Sequence, residues 1–117
     1  MLKSLYWRLN FFFKNRKSKR LKKRLGNDSS TLTVNTKNGT FVIDPADLEV
    51  SRKLAVKGEY GTEEIIQISK FIDNKSTVLI VGAHIGSLAI PIAKLCSELV
   101  AIEANPNNFK LLETNIK

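Results

Sequence analysis

The stretch Thr77-Val78-Leu79-Ile80-Val81-Gly82-Ala83-His84-Ile85-Gly86 decides the fold. Its first five residues form a continuous apolar, largely β-branched run, which suits a parallel strand covered on both faces. The run ends directly in a glycine turn. From about Ser87 to Ser97 the spacing of Leu88, Ile92 and Leu95 then predicts a helix, with Pro91 late in its first turn, where a missing N–H does little harm. Leu99 to Glu103 reads as a second strand. Asn105-Pro106 opens a further helix, with Asn as N-cap and Pro at the first helical position, and Phe109, Leu112 and Ile116 as its core stripe. Strand, glycine turn, helix, strand, helix is the rhythm of an α/β nucleotide-binding fold.

Upstream of this stretch the pattern changes. Thr31 to Asn35 and Thr40 to Asp44 are alternating, β-branched runs on either side of Asn38-Gly39, a dipeptide that tolerates the positive φ of a hairpin turn. Pro45 closes the second run, and Asp47 to Gly58 reads as a turn and a short helix. Thr62 is the expected N-cap of the next helix, which has Glu63 and Glu64 in its first turn and Ile65, Ile68, Phe71 and Ile72 as its buried face. Tyr60 is expected to pack. Gly26 to Ser30 reads as a linker.

The glycine turn and the strand after it carry the chemistry. Glycines between a buried strand and a helix let backbone approach a ligand closely and aim helix N–H groups at it. Glu103, at the end of the second strand and about 20 residues on, is suited to accept ribose hydroxyls. Together they read as a site for an adenosine cofactor. A dinucleotide fingerprint needs glycine at the third and sixth positions, where this chain has His84 and Ser87. A cofactor with no phosphate therefore fits better, and a nicotinamide oxidoreductase is disfavoured. His84 suits loop shaping better than general-base work.

These residues resemble a known family. Gly58-Glu59-Tyr60, the helix after it, Val78 to Gly86 and Ala101-Ile102-Glu103-Ala104-Asn105-Pro106-Asn107-Asn108-Phe109 are similar to the N-terminal half of FkbM-type S-adenosylmethionine-dependent methyltransferases. The resemblance runs from about Phe41 to Lys117. It implies an α/β, Rossmann-like class I methyltransferase fold, incomplete in this chain and preceded by a β-hairpin (31–44) and a basic N-terminal helix. By the same resemblance, 31–117 is the N-terminal half of the domain and 77–117 its cofactor-binding part. Gly82, Ala83, His84, Ile85 and Gly86 would hold the methionine part of S-adenosylmethionine, and Glu103 with Ala104 the ribose side. The implied activity is methylation of a hydroxyl on a small-molecule acceptor: a sugar, a polyketide or a lipid-linked glycan. Ile80 departs from the pattern, because family members usually carry an acidic residue there. No catalytic base can be read, and no metal ligands group together. The alternative is a truncated or degenerate, non-catalytic relative with a membrane-associating basic tail.

Two strands fall short of the five or so of an open doubly wound sheet, so the chain is expected to be a truncated reading frame or one piece of a longer protein. A single cysteine, Cys96, excludes an intrachain disulfide and reads as a small core residue. No apolar run reaches the ~18 to 20 residues of a membrane-spanning helix.

The formal charge of +8 belongs to one end of the chain. Residues 1–27 hold ten of the nineteen Lys and Arg and no acid, which leaves residues 28–117 at −2. Leu2, Leu5, Tyr6, Leu9, Phe12 and Phe13 recur at spacings of three and four ahead of the polybasic run. Residues 1–27 are thus expected to be a basic amphipathic tail, either packed on the rest of a larger protein or laid on an anionic membrane surface. The expected location is cytoplasmic, with a peripheral position at the inner face of the membrane if the tail is laid on lipid, and a nucleic-acid partner is not expected.

Overall fold

The computed structural model describes residues 31–117, together with Phe13, Arg16, Lys19, Arg20, Lys23 and Arg24. The stripe from Leu2 to Phe12 and the linker Gly26 to Ser30 lie outside the described residues.

The chain opens with a hairpin, β1 (Leu32–Thr36) antiparallel to β2 (Gly39–Ile43). Two short helices follow, α1 (Val50–Lys57) and α2 (Thr62–Ser69). Then come β3 (Thr77–Val81), α3 (Ala89–Ala93), β4 (Glu98–Ile102) and α4 (Pro106–Asn115). β3 and β4 pair in parallel, with Val78 beside Leu99 and Ile80 beside Ala101. This is the strand, glycine loop, helix, strand, helix order expected of a partial Rossmann-like fold.

The core lies between the hairpin, α1 and the glycine loop. Phe41 and Ile43 of β2, Val50 and Leu54 of α1, and Ile85 of the loop form one buried cluster, with Tyr60 packed against it. The hairpin is therefore not an appendage, because its inner face is what covers the loop.

Several local expectations shift. The hairpin turns on Lys37 and Asn38, with Thr36 opposite Gly39, so each strand lies one residue off its expected place. Gly39 takes a positive φ of 132°, whereas Asn38 does not. The Asn38 side chain is engaged elsewhere, and the turn is held by Thr36 instead. Its hydroxyl donates to Gly39 O at 2.7 Å and accepts from Asn38 N at 3.2 Å.

The helix expected over Ser87 to Ser97 is confined to α3. Gly86, at φ +92°, cannot be helical, and at the other end Ser97 N donates to Ser76 O at 2.9 Å, drawing the chain into β4. Cys96 thus lies after the helix and is half-buried, and Leu95 is exposed. Gly61, in the left-handed region, precedes α2 in place of a Thr62 cap. None of α2 is fully buried, and Phe71, beyond its end, is 85% exposed. Of the α4 stripe only Leu112 is buried, with Phe109 and Ile116 exposed. The face of β3 and β4 formed by Leu79, Val81, Val100 and Ile102 is itself open, 46 to 73% exposed.

Two asparagines join these parts. Asn38, 4% exposed, donates to Tyr60 O at 2.6 Å and to Ser87 O at 3.0 Å, and accepts from Tyr60 N at 3.0 Å. Asn115 treats the open edge of β2 as a further strand would. It accepts from Val42 N at 2.7 Å, donates to Val42 O at 3.1 Å, and reaches Ile85 O at 2.9 Å.

Asn38→Ala leaves three backbone groups without partners, and a buried unpaired group costs ~1 to 3 kcal/mol. The variant should lose about 3 kcal/mol in urea unfolding, whereas Asn35→Ala, on the exposed face of β1, should change stability by under about 0.5 kcal/mol.

Candidate functional site

The turn Gly82 to Gly86 is shaped by what lies under it. Ala83 is 5% exposed and Ile85 is fully buried, so both residues are packed into the core. The two glycines have different roles. Gly86 is crowded: a Cβ there would lie 2.9 Å from Leu112 Cδ1 and 3.1 Å from Ile90 Cδ1. Gly82, at φ +80°, has nothing within 4 Å of a Cβ position. It therefore leaves open space at the end of β3, the kind of surface that a ligand can approach closely.

Glu103 stands at the carboxyl end of the neighbouring strand and closes on this turn. Its Oε2 accepts from the backbone N–H of His84 at 2.7 Å, and its Oε1 from that of Asn105 at 2.8 Å. The N–H groups of Asn105 and His84 hold the carboxyl below the ordinary glutamate range. An ionised carboxylate has about four acceptor positions, so these two bonds leave room for more donors. Ala104 lies beside it, exposed.

His84 sits at φ +53°, a left-handed conformation that histidine tolerates better than most residues. Its ring turns toward α1, with Nε2 3.9 Å from Asp47 Oδ2 and Nδ1 buried without a hydrogen-bond partner. Asp47 in turn caps α1, accepting from Glu49 N at 2.9 Å and Ser51 N at 2.7 Å. His84 thus acts on the loop through its backbone.

The structure therefore brings together Gly82, His84 and Glu103, and packs Ala83 and Ile85 into the core. The N–H groups of Gly82 and Ala83 donate to Ile102 O, that of His84 to Glu103, and that of Gly86 to Ala83 O. These four loop N–H groups are thus engaged within the protein.

Asn38 and Asn115 were not visible as site residues in the sequence. Pro91 supplies the clue to the first: it has no N–H for the carbonyl of Ser87, four residues earlier, and Asn38 takes that carbonyl. For the second, the signal is a polar residue three positions after the buried Leu112. A groove of about 620 Å³ between α3, β4 and α4 is lined by residues such as Ile90, Leu99 and Phe109, and contains neither the glycine turn nor Glu103. It is an uncovered apolar seam and no part of the site.

The model of the TRM5/TYW2 methyltransferase domain family matches residues 33–117. No curated protein matches the chain. Among solved structures, PH0793 of Pyrococcus horikoshii, provisionally named a transferase, superposes with a TM-score of 0.56 at 25% identity. The match covers 74% of this chain and 31% of that one, so the chain spans less than a third of that relative's length.

The lowered Glu103 pKa fixes the sign of a pH effect. The Glu103 contacts contribute fully above the unfolded-state value and are lost as pH falls through the lower folded value. In NMR titration the His84 and Asn105 amide protons should move upfield together, with one shared midpoint below the ordinary 4.5. Glu103→Gln should abolish that step. Separate midpoints, or one at 4.5 or above, would contradict the shared carboxylate.

Proposed function

The chain belongs to the TRM5/TYW2 methyltransferase domain family, whose cofactor is S-adenosylmethionine, and from that premise we propose that residues 77–117 form the cofactor-holding half of a methyltransferase. The observation that carries the reading is the pairing of Glu103 with the backbone of His84 across the ends of two adjacent parallel strands. In α/β sheets this carboxyl end is where ligands bind. The cofactor, when bound, supplies a methyl group on a positively charged sulfur. Gly82 to Gly86 would hold the methionine part, and Glu103, with acceptor positions left beside its two backbone bonds, would accept from the ribose hydroxyls. Ala104 borders the same edge. Catalysis of this kind rests mainly on holding donor and acceptor in line.

For the acceptor, the FkbM-like motifs support a hydroxyl of a sugar or another small molecule. A second reading, favoured by the family match itself, takes a nucleic acid as the acceptor, since tRNA is the substrate class of the TRM5 family. Ile80, half-buried beside Ala101, stands where the FkbM pattern has an acid, and this is the feature that favours a non-catalytic relative.

Calorimetric titration with S-adenosylhomocysteine tests the site. A hydrogen bond to a charged group is worth ~1.5 to 3 kcal/mol, so Glu103→Ala should weaken binding by roughly ten- to a hundredfold. No binding by the parent sinks the methyltransferase reading for this chain, and unchanged affinity in Glu103→Ala removes that residue from the site. Labelled methyl transfer by the full-length protein then separates the acceptors: label on RNA supports the second reading, label on a sugar hydroxyl the first.

A further inference from the structure

Two polar groups beside the glycine turn are not used by the site above: the ring of His84 and the carboxylate of Asp47. Among the described residues His84 is the one non-glycine with a positive φ. Gly82 and Gly86, on either side of it, have no Cβ and adopt that conformation freely, whereas a residue with a Cβ needs something to hold it there. The backbone of His84 is also what meets Glu103, its N donating to Oε2 at 2.7 Å. Whatever holds the left-handed turn therefore also holds Glu103.

The ring supplies that hold. Nε2 lies 3.9 Å from Oδ2 of Asp47, the only carboxylate within ion-pair distance of it among the described residues, and the two side chains are 28% and 23% exposed. The distance is longer than a hydrogen bond, so the attraction is electrostatic, and partial burial leaves it less screened than at the surface. Nδ1 is buried without a hydrogen-bond partner, so no second polar contact competes for the ring. With one nitrogen enclosed and the other facing a carboxylate, neither is placed to take a proton from an acceptor molecule. Asp47 is itself fixed. It accepts from Glu49 N and Ser51 N, its own N donates to Asp44 O at 3.1 Å, and the helix it caps, α1, is seated in the core by Val50 and Leu54. A carboxylate held by a packed helix is a firmer anchor than one on a free loop.

We propose that Asp47 is a positioning residue for the cofactor site: it holds the His84 ring, the ring holds the left-handed turn, and the turn presents the His84 N–H to Glu103. That the carboxylate so positioned serves S-adenosylmethionine rests on the reading given above. The link from Asp47 to Glu103 does not.

The shared NMR titration of the amide protons of residues 84 and 105, in the full chain, reads the link without a cofactor. Asp47→Ser removes the charge but leaves a hydroxyl that can accept from Glu49 N. The Glu103 midpoint should rise toward the ordinary 4.5, because the N–H of His84 no longer favours the ionised carboxylate. Loss of an anion by itself acts in the opposite direction, since a neighbouring negative charge disfavours ionisation. In His84→Gly, where the turn needs no ring, the same substitution should leave the midpoint where it is, and the difference between the two backgrounds isolates the Asp47–His84 pair. If His84→Gly does not fold, His84→Asn, also tolerant of the left-handed region, takes its place. An unchanged or lowered midpoint in Asp47→Ser overturns the proposal, and so does an equal rise in both backgrounds, which would make Asp47 a cap of α1 alone. In calorimetry with S-adenosylhomocysteine, Asp47→Ser should weaken binding at least about twofold in the parent background and not in His84→Gly. Unchanged affinity where the parent binds removes Asp47 from the cofactor site. No binding by the parent sinks the methyltransferase reading, and the titration still decides the link.

Discussion

The carboxamide of Asn38 is the contact on which the rest depends. It lies under the hairpin turn, 4% exposed, and its three hydrogen bonds reach Tyr60 and Ser87. A buried amide must find partners for its donors and acceptor or incur a desolvation cost. Here those partners are backbone groups that no ladder could satisfy: Tyr60 in the loop before α2, and Ser87, whose helical donor would have been Pro91. One side chain thereby ties β1, β2, the α1–α2 connection and the far side of the glycine loop to a common point.

Asn115 does the same from the other side. It binds the free edge of β2 and the carbonyl of Ile85, so the loop is gripped at two carbonyls two residues apart by amides arriving from opposite ends of the chain. Between them Ile85 is buried in the core, and burying an isoleucine is worth ~1.5 to 3 kcal/mol. The loop is thus held from beneath by packing and from the sides by hydrogen bonds, which leaves its outer contour at Gly82 free. Rigid support of this kind lets a short backbone segment keep a left-handed residue at His84.

The opposite face tells of the balance elsewhere. Leu79, Val81, Val100 and Ile102 form an open apolar surface, and α2 buries none of its residues fully. A parallel sheet in an α/β protein is covered on both faces. Here the apolar composition of β3 and β4 suits a layer that the described residues do not supply, and the stability of this part rests on the hairpin side of the fold.

Much of this was legible in the sequence, because it depends on neighbours along the chain. The apolar run of β3, the glycine turn, and the Asn105-Pro106 start of α4 are local patterns, and each lies where its pattern puts it. Asn105 even accepts from Asn107 and Asn108 as an N-cap should. The pairing of Glu103 with the turn followed from strand order alone, since two parallel strands joined by one crossover end on the same side. Only the tertiary structure decided how the loop is held. Asn38 reads locally as a turn residue and Asn115 as the tail of a helix, and their roles depend on groups 49 and 73 positions away. It also decided that α3 is short and that Phe71 and Ile116 face outward, because burial is a property of the surface that meets a side chain, and helical spacing carries no record of whether that surface is there.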